Sequence, residues 1–277
     1  MPLAALLFLP LALQAGNAPP LPRAPLEIPR RKADAKAEAL PPSRLQQCLD
    51  LSRTAPVAAA VQARAWLDTA KGSARAEPGR CLGVALSAQE QWDDAAAAFL
   101  AARDASAANE RVEIARLGGM AGNAALAAGQ PDMALAALDR AHGDALGAGD
   151  TALAALLSID RARALVALGR DGDAAAALAE ARSGAPAEAQ GWLLSATLSR
   201  RQGKLAEAQT QIQQAATLAP LDPEVGLEAG VIAALGGRDE AARKSFTSVI
   251  HAAPGSDLAR RAQQYLDQLG PAAAPSR

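Results

Sequence analysis

Aromatic side chains are scarce in this chain: three Phe, three Trp and one Tyr among 277 residues, 3% of the total. With so few large rings to bury, one wide core is a poor expectation. Histidine is limited to His142 and His251, and cysteine to Cys48 and Cys81. No His-Glu-x-x-His, no Cys-x-x-Cys and no third ligand accompanies them, which predicts no metal site and no cofactor. A charge of one sign is missing too. The formal net charge of −1 argues against nucleic acid as a partner, since such proteins carry a basic excess. No Ser stands in a Gly-x-Ser-x-Gly context, and Gly118-Gly119 and Gly236-Gly237 lack the Lys-Ser/Thr ending of a phosphate loop. The sequence therefore shows no catalytic residues, and the chain is expected not to be an enzyme. Beyond the N-terminus no apolar run is long enough to span a bilayer.

What the chain does have is Ala, the best helix former and small enough to let helices pack closely. Half of all residues are hydrophobic and 21% are charged. Residues 3–15 form an apolar run of signal-peptide length, followed by the small residues Ala15, Gly16 and Ala18. Residues 1–18 are accordingly expected to direct export, with cleavage after Ala15 or Ala18 and a periplasmic or secreted product. An uncleaved membrane anchor is the alternative, because no Lys or Arg precedes the run. Residues 19–42 carry seven prolines, which block regular helix and suit an extended linker. Between Pro19 and Arg44 six basic side chains face three acidic ones, leaving that stretch at +3 and the remainder at −4.

One period runs through the rest. Gly169, Gly203 and Gly237 lie 34 residues apart, as do Pro186, Pro220 and Pro254. The same stride links Ala174, Ala208 and Ala242, then Ala162, Ala196 and Gly230, then Leu178, Ile212 and Phe246. Five columns with one spacing describe a repeated helix pair. Small residues on both helices permit close approach, and Gly ends the first helix in a left-handed cap. The bulky residue four places after the small one shares its helix face, and Pro stops the second helix. Residues 43–53 and 56–70 read as a degenerate leading pair within 43–75, with Trp66 and Leu67 expected to be buried. An amphipathic helix over 257–270 would cap the far end through Leu258, Ala262, Tyr265 and Leu269. Residues 271–277 are expected to be a disordered tail. Asp93-Asp94, Asp171 with Asp173, and Asp239-Glu240 fall at starts of second helices, where carboxylates can satisfy free backbone N–H groups.

The pattern resembles the tetratricopeptide repeat (TPR), a 34-residue helix-turn-helix unit with small residues at its eighth and twentieth positions, Gly near the fifteenth and Pro at the thirty-second. Residues 189–222 match best, through Trp192, Ala196, Gly203, Glu207-Ala208, Ala215, Leu218 and Pro220. About five such units cover roughly 76–256. Earlier units are looser: Glu90 replaces the turn Gly in one, and about six extra residues fall around Gly147 to Asp150 in another. The resemblance implies an all-α, right-handed superhelical solenoid of antiparallel helix pairs. It also implies that a protein or peptide partner binds along the concave face of the first helices. Carried onto this sequence, the face's positions include Arg80, Arg116, Asn123, Ile159, Arg163, Leu193, Thr197, Arg200, Leu227 and Val231. The family's carboxylate clamp is not implied, because Leu156 and Asp160 stand where basic residues belong. The expected function is an interaction scaffold in the cell envelope. A non-catalytic regulatory subunit of an envelope enzyme is the alternative.

Cys48 and Cys81 are 33 residues apart, close to one repeat period. In an oxidising compartment two cysteines suggest one disulfide, whereas two small buried thiols are the plainer alternative. His142 and His251 are read as cations near the ends of second helices.

Overall fold

A computed structural model describes residues 41–270. The expected signal segment, nearly all of the linker and the tail fall outside these described residues. Among the described residues thirteen α-helices follow one another: α1 (Arg44–Thr54), α2 (Pro56–Thr69), α3 (Ala76–Ser87), α4 (Trp92–Ala105), α5 (Arg111–Ala127), α6 (Pro131–Gly147), α7 (Thr151–Ala167), α8 (Asp171–Gly184), α9 (Ala189–Arg201), α10 (Leu205–Leu218), α11 (Pro223–Leu235), α12 (Asp239–Ala252) and α13 (Asp257–Leu269). A short 3-10 turn (Gly72–Arg75) joins α2 to α3, and no strand occurs among the described residues. Each helix packs mainly on its sequence neighbours, the arrangement of a solenoid.

Two local rules recur along the stack. From α3 onward the turn inside each pair has one residue at positive φ: Gly129, Gly169, Gly203 and Gly237 lie between 69° and 75°. The next residue donates its N–H to a carbonyl five positions back, as in Gln130 to Ala125 (2.9 Å) and Arg170 to Leu165 (2.8 Å), which closes a Schellman cap. In the first full pair Glu90 adopts this conformation (φ 57°) and Gln91 donates to Leu86, so the turn persists without its glycine. The second rule concerns exits. Ala185, Ala219 and Ala253, each followed by Pro, all sit near φ −135° with ψ between 59° and 70°. The proline ring forbids the α conformation to the residue before it, so the three second helices end alike. Ala55, before Pro56, is nearly the same at φ −146° and ψ 68°.

The extra residues before the fourth pair do not form a loop. They lengthen helices: α5, α6 and α7 each have 17 residues, and the α6–α7 link is a Schellman turn at Gly149 like those at Gly129 and Gly169. The acidic residues at the starts of α4, α8 and α12 do not cap them either; those N-termini have no side-chain cap bond. Asp93 instead accepts from the Gln130 amide (2.6 Å) and Asp173 pairs with Arg170 (2.7 Å). Their favourable position in the first turn rests on the helix dipole alone. Side-chain caps occur at α1, α7, α11 and α13, from Ser43, Asp150, Asp222 and Ser256.

Helix pairs nest through matched sizes. At Gly83, Gly122 and Gly230 an added Cβ would sit within about 2.6 Å of the Phe99, Leu138 and Phe246 side chains respectively. Where the column holds Ala162 or Ala196, the partner is the aliphatic Leu178 or Ile212, and all four are buried. At Gly83 and Gly230 a ring, and at Gly122 the Leu138 side chain, thus takes the space that a missing methyl leaves.

The leading pair is thin. Cys48, Ala63 and Cys81 form one small cluster and Ala59, Ala60 and Ala85 another, while Trp66 and Leu67 are only half-buried. Trp66 lies against Arg44, whose guanidinium is 4.3 Å from the ring centroid, so its face is covered by a cation and not by core. Cys48 and Cys81, both fully buried, are joined by a disulfide with Cα atoms 6.1 Å apart, which ties α1 to α3. At the other end α13 lays Tyr265 on Phe246 at 5.3 Å between centroids, with Leu258, Leu266 and Leu269 packed round the same cluster.

Candidate partner-binding face

Most consecutive first helices touch directly, α1 with α3, α5 with α7, α7 with α9 and α9 with α11, while α3 and α5 meet through the Arg80–Glu113 pair. Second helices of consecutive units make no contact of that extent. The first helices therefore line the inner side of the stack. Polar pairs cross this side from unit to unit. Arg80 of α3 donates to Glu113 of α5 (3.0 Å), Asn123 of α5 to Asp160 of α7 (2.9 Å), and Arg200 of α9 to both carboxylate oxygens of Glu228 on α11 (2.6 and 3.3 Å). These are charge-assisted contacts of good geometry, and Arg200–Glu228 is also largely shielded, with side chains 24% and 13% exposed.

The series is interrupted between α7 and α9. Arg163 turns back along its own helix to Asp160 (2.6 Å), and Thr197 across from it bonds only its own backbone, at Leu193 O (3.1 Å). In place of a bridge there is an open notch of about 220 Å³. Its floor is Ala162, Val166, Leu178, Leu194 and Leu198; its rim is Arg163, Thr197 and Arg201. The main core cluster, which runs from α3 to α8, takes only Leu198 from α9 into its buried set, and α9 to α11 share a separate cluster. One turn before Asp160 on α7, Leu156 is 43% exposed on the same side.

No protein-family model matches the sequence, and no curated protein does. Solved structures do match. TTC0263, a thermophilic TPR protein of Thermus thermophilus, superposes with TM-score 0.55 at 21% identity, over 69% of this chain and 98% of that one. The chain has the TPR fold. Pseudomonas aeruginosa pilF matches with TM-score 0.62 at 16% identity over 80% of this chain and 95% of that one. BtubC from P. vanneervenii matches at 0.57 and 13% over 85% and 96%.

On this TPR scaffold the ten candidate face residues divide into groups. Ile159, Leu193 and Leu227 are buried (4%, 5% and 6% exposed), so they are packing residues and not contacts for a partner. Ile159, for instance, reaches towards Gly191 of the next first helix. Arg80, Asn123 and Arg200 are engaged in the bridges just described. Arg116 is exposed, Val231 half-buried, and Arg163 and Thr197 edge the notch. Of the other notch residues, Val166 and Arg201 fall on face positions of the repeat and Leu194 does not; the interrupted bridging series that groups the three is visible only in three dimensions.

Other ionisable groups make contacts within and between helices. His142 lies well inside the lengthened α6, where its Nε2 meets Glu180 of α8 at 2.6 Å; Glu180 in turn accepts from Arg161, which also binds Asp139 (2.7 Å). His251, one residue from the end of α12, keeps the terminal position expected of it and bonds Thr247 O (2.7 Å). Arg182 stacks on Trp192 and donates to Ser195 Oγ; burial pushes its guanidinium below the ordinary value, opposed by Glu207. Among the described residues no three His, Cys, Asp or Glu side chains are grouped to hold a metal ion, and no helix is long and apolar enough to cross a membrane.

Proposed function

We propose that the chain is a scaffold that holds a peptide or a partner protein along the face of its first helices, has no chemistry of its own, and works in the bacterial envelope after export. The observation that carries the binding reading is the inner side from α3 to α11, crossed by polar bridges and opened at one apolar notch. Extended faces of this kind are what stacked helical repeats offer to partners. The envelope reading draws support from the buried Cys48–Cys81 disulfide, since such bonds persist where the surroundings are oxidising. It draws further support from the apolar run at residues 3–15.

Site-specific photocrosslinking in cells tests the binding reading. A photoreactive residue at Arg116, exposed on α5, should give a discrete adduct, whereas one at Thr210, exposed on the outer α10, should not. Equal labelling from both sites would remove the inner side as the docking face. N-terminal sequencing of the protein recovered from cells tests export: Met1 retained in a cytosolic fraction would end the envelope reading.

A further inference from the structure

We propose that the notch between α7 and α9 receives one large apolar side chain of a peptide whose flanking residues are acidic. This deepens the proposed scaffold reading and rests on it. Three features point the same way.

First, size. About 220 Å³ is smaller than the roughly 300–1,000 Å³ that small-molecule pockets enclose, and it suits a single Leu, Met or Phe side chain. Second, chemistry. The floor is aliphatic, with Val166, Leu194 and Leu198 presenting methyl groups, so a polar side chain placed there would lose its water without gaining a partner. Third, charge. Both ionisable residues on the rim are arginines. Arg163 shares Asp160 with Asn123, and Arg201 is exposed and makes no ion pair among the described residues. A carboxylate beside the anchor finds a planar guanidinium free to bind it through two N–H groups; a lysine there meets only like charge.

The position within the stack adds a mechanical reason. The bridges that join α5 to α7 and α9 to α11 have no counterpart across α7 and α9, so nothing polar occupies the space. A ligand side chain seated there would complete the packing between the main core and the α9–α11 cluster.

The test is selection of random 12-residue peptides displayed on phage against the full chain, followed by fluorescence-anisotropy titration of the enriched peptides. We expect enrichment of peptides with one Leu, Met or Phe between Asp or Glu residues. Thr197→Phe, which fills the notch from its rim, should weaken their binding at least tenfold. Arg201→Glu should weaken it about three- to tenfold and lower the association rate more than it raises the dissociation rate. Circular dichroism of both variants, with wild-type helicity, secures the comparison. Enriched peptides whose binding ignores Thr197→Phe, or a consensus rich in Lys and Arg, would overturn the notch proposal while leaving peptide binding intact. No enrichment by the wild-type chain would overturn the peptide reading itself. A self-associating chain whose dimer is lost in Thr197→Phe by sedimentation would place a second copy in the notch, which also refutes the proposal.

Discussion

Gly230 and Phe246 can be made to exchange sizes. An alanine at 230 gains about 1 kcal/mol as a better helix residue than glycine. Its methyl would also sit 2.6 Å from Cδ1 and 2.8 Å from Cζ of Phe246, a ring only 1% exposed and backed by Tyr265. Overpacking of that kind costs about 1–3 kcal/mol. We therefore expect Gly230→Ala to destabilise the chain by up to about 2 kcal/mol, although Gly→Ala in an unobstructed helix stabilises. Phe246→Leu alone leaves a void beside Gly230 and should cost about 2 kcal/mol. The double variant recreates the Ala162–Leu178 pair that the same fold already uses two units earlier. It should lose only about 1 kcal/mol, less than the sum of its parts, for a coupling of about 2 kcal/mol. Urea unfolding followed by circular dichroism, on all four proteins, reads this directly as shifts in midpoint at constant slope. Additive single effects, or a Gly230→Ala protein more stable than the parent, would refute the claim that ring and glycine are matched.

Other consequences are as definite. Glu90→Gly should raise stability by about 1 kcal/mol in the same urea assay, because Glu90 holds φ 57° on an exposed turn where other units have glycine; a lowered midpoint would contradict this. Cys48→Ala with Cys81→Ala should cost about 3–4 kcal/mol on the chain-entropy model for a 33-residue separation. Hydrogen exchange should then accelerate over residues 44–69 and stay unchanged in α7 to α12. Arg200→Ala strands Glu228 at 13% exposure and should cost about 1–3 kcal/mol; if Arg200→Ala with Glu228→Gln is no better than Arg200→Ala alone, the bridge is not structural.

The repeat was legible because its physics is local. A 34-residue stride in Gly, Ala and Pro names a turn that needs positive φ, a close helix contact and a forced helix end, and each is found at Gly203, Ala196–Ile212 and Ala219-Pro220. Helix lengths were less legible. The residues around Gly147 look like an insertion in sequence, but Gly149 repeats the turn chemistry of Gly129 and Gly169 at twenty-residue intervals, so they are absorbed into longer helices. The face was least legible. Family positions treat Ile159 and Arg163 alike, yet one is packed against the next unit and the other edges an opening. That difference depends on how closely α7 and α9 approach, which no single helix encodes.

With a covalent staple at α1–α3 and an aromatic lid at α13, neither extremity of the row is free to peel cheaply. In a one-dimensional array failure then starts wherever neighbouring helices share least, and here that seam is interior, at α8–α9, the least extensive contact between sequential helices. Thermal or mechanical load should part the molecule into two folded halves before either half melts.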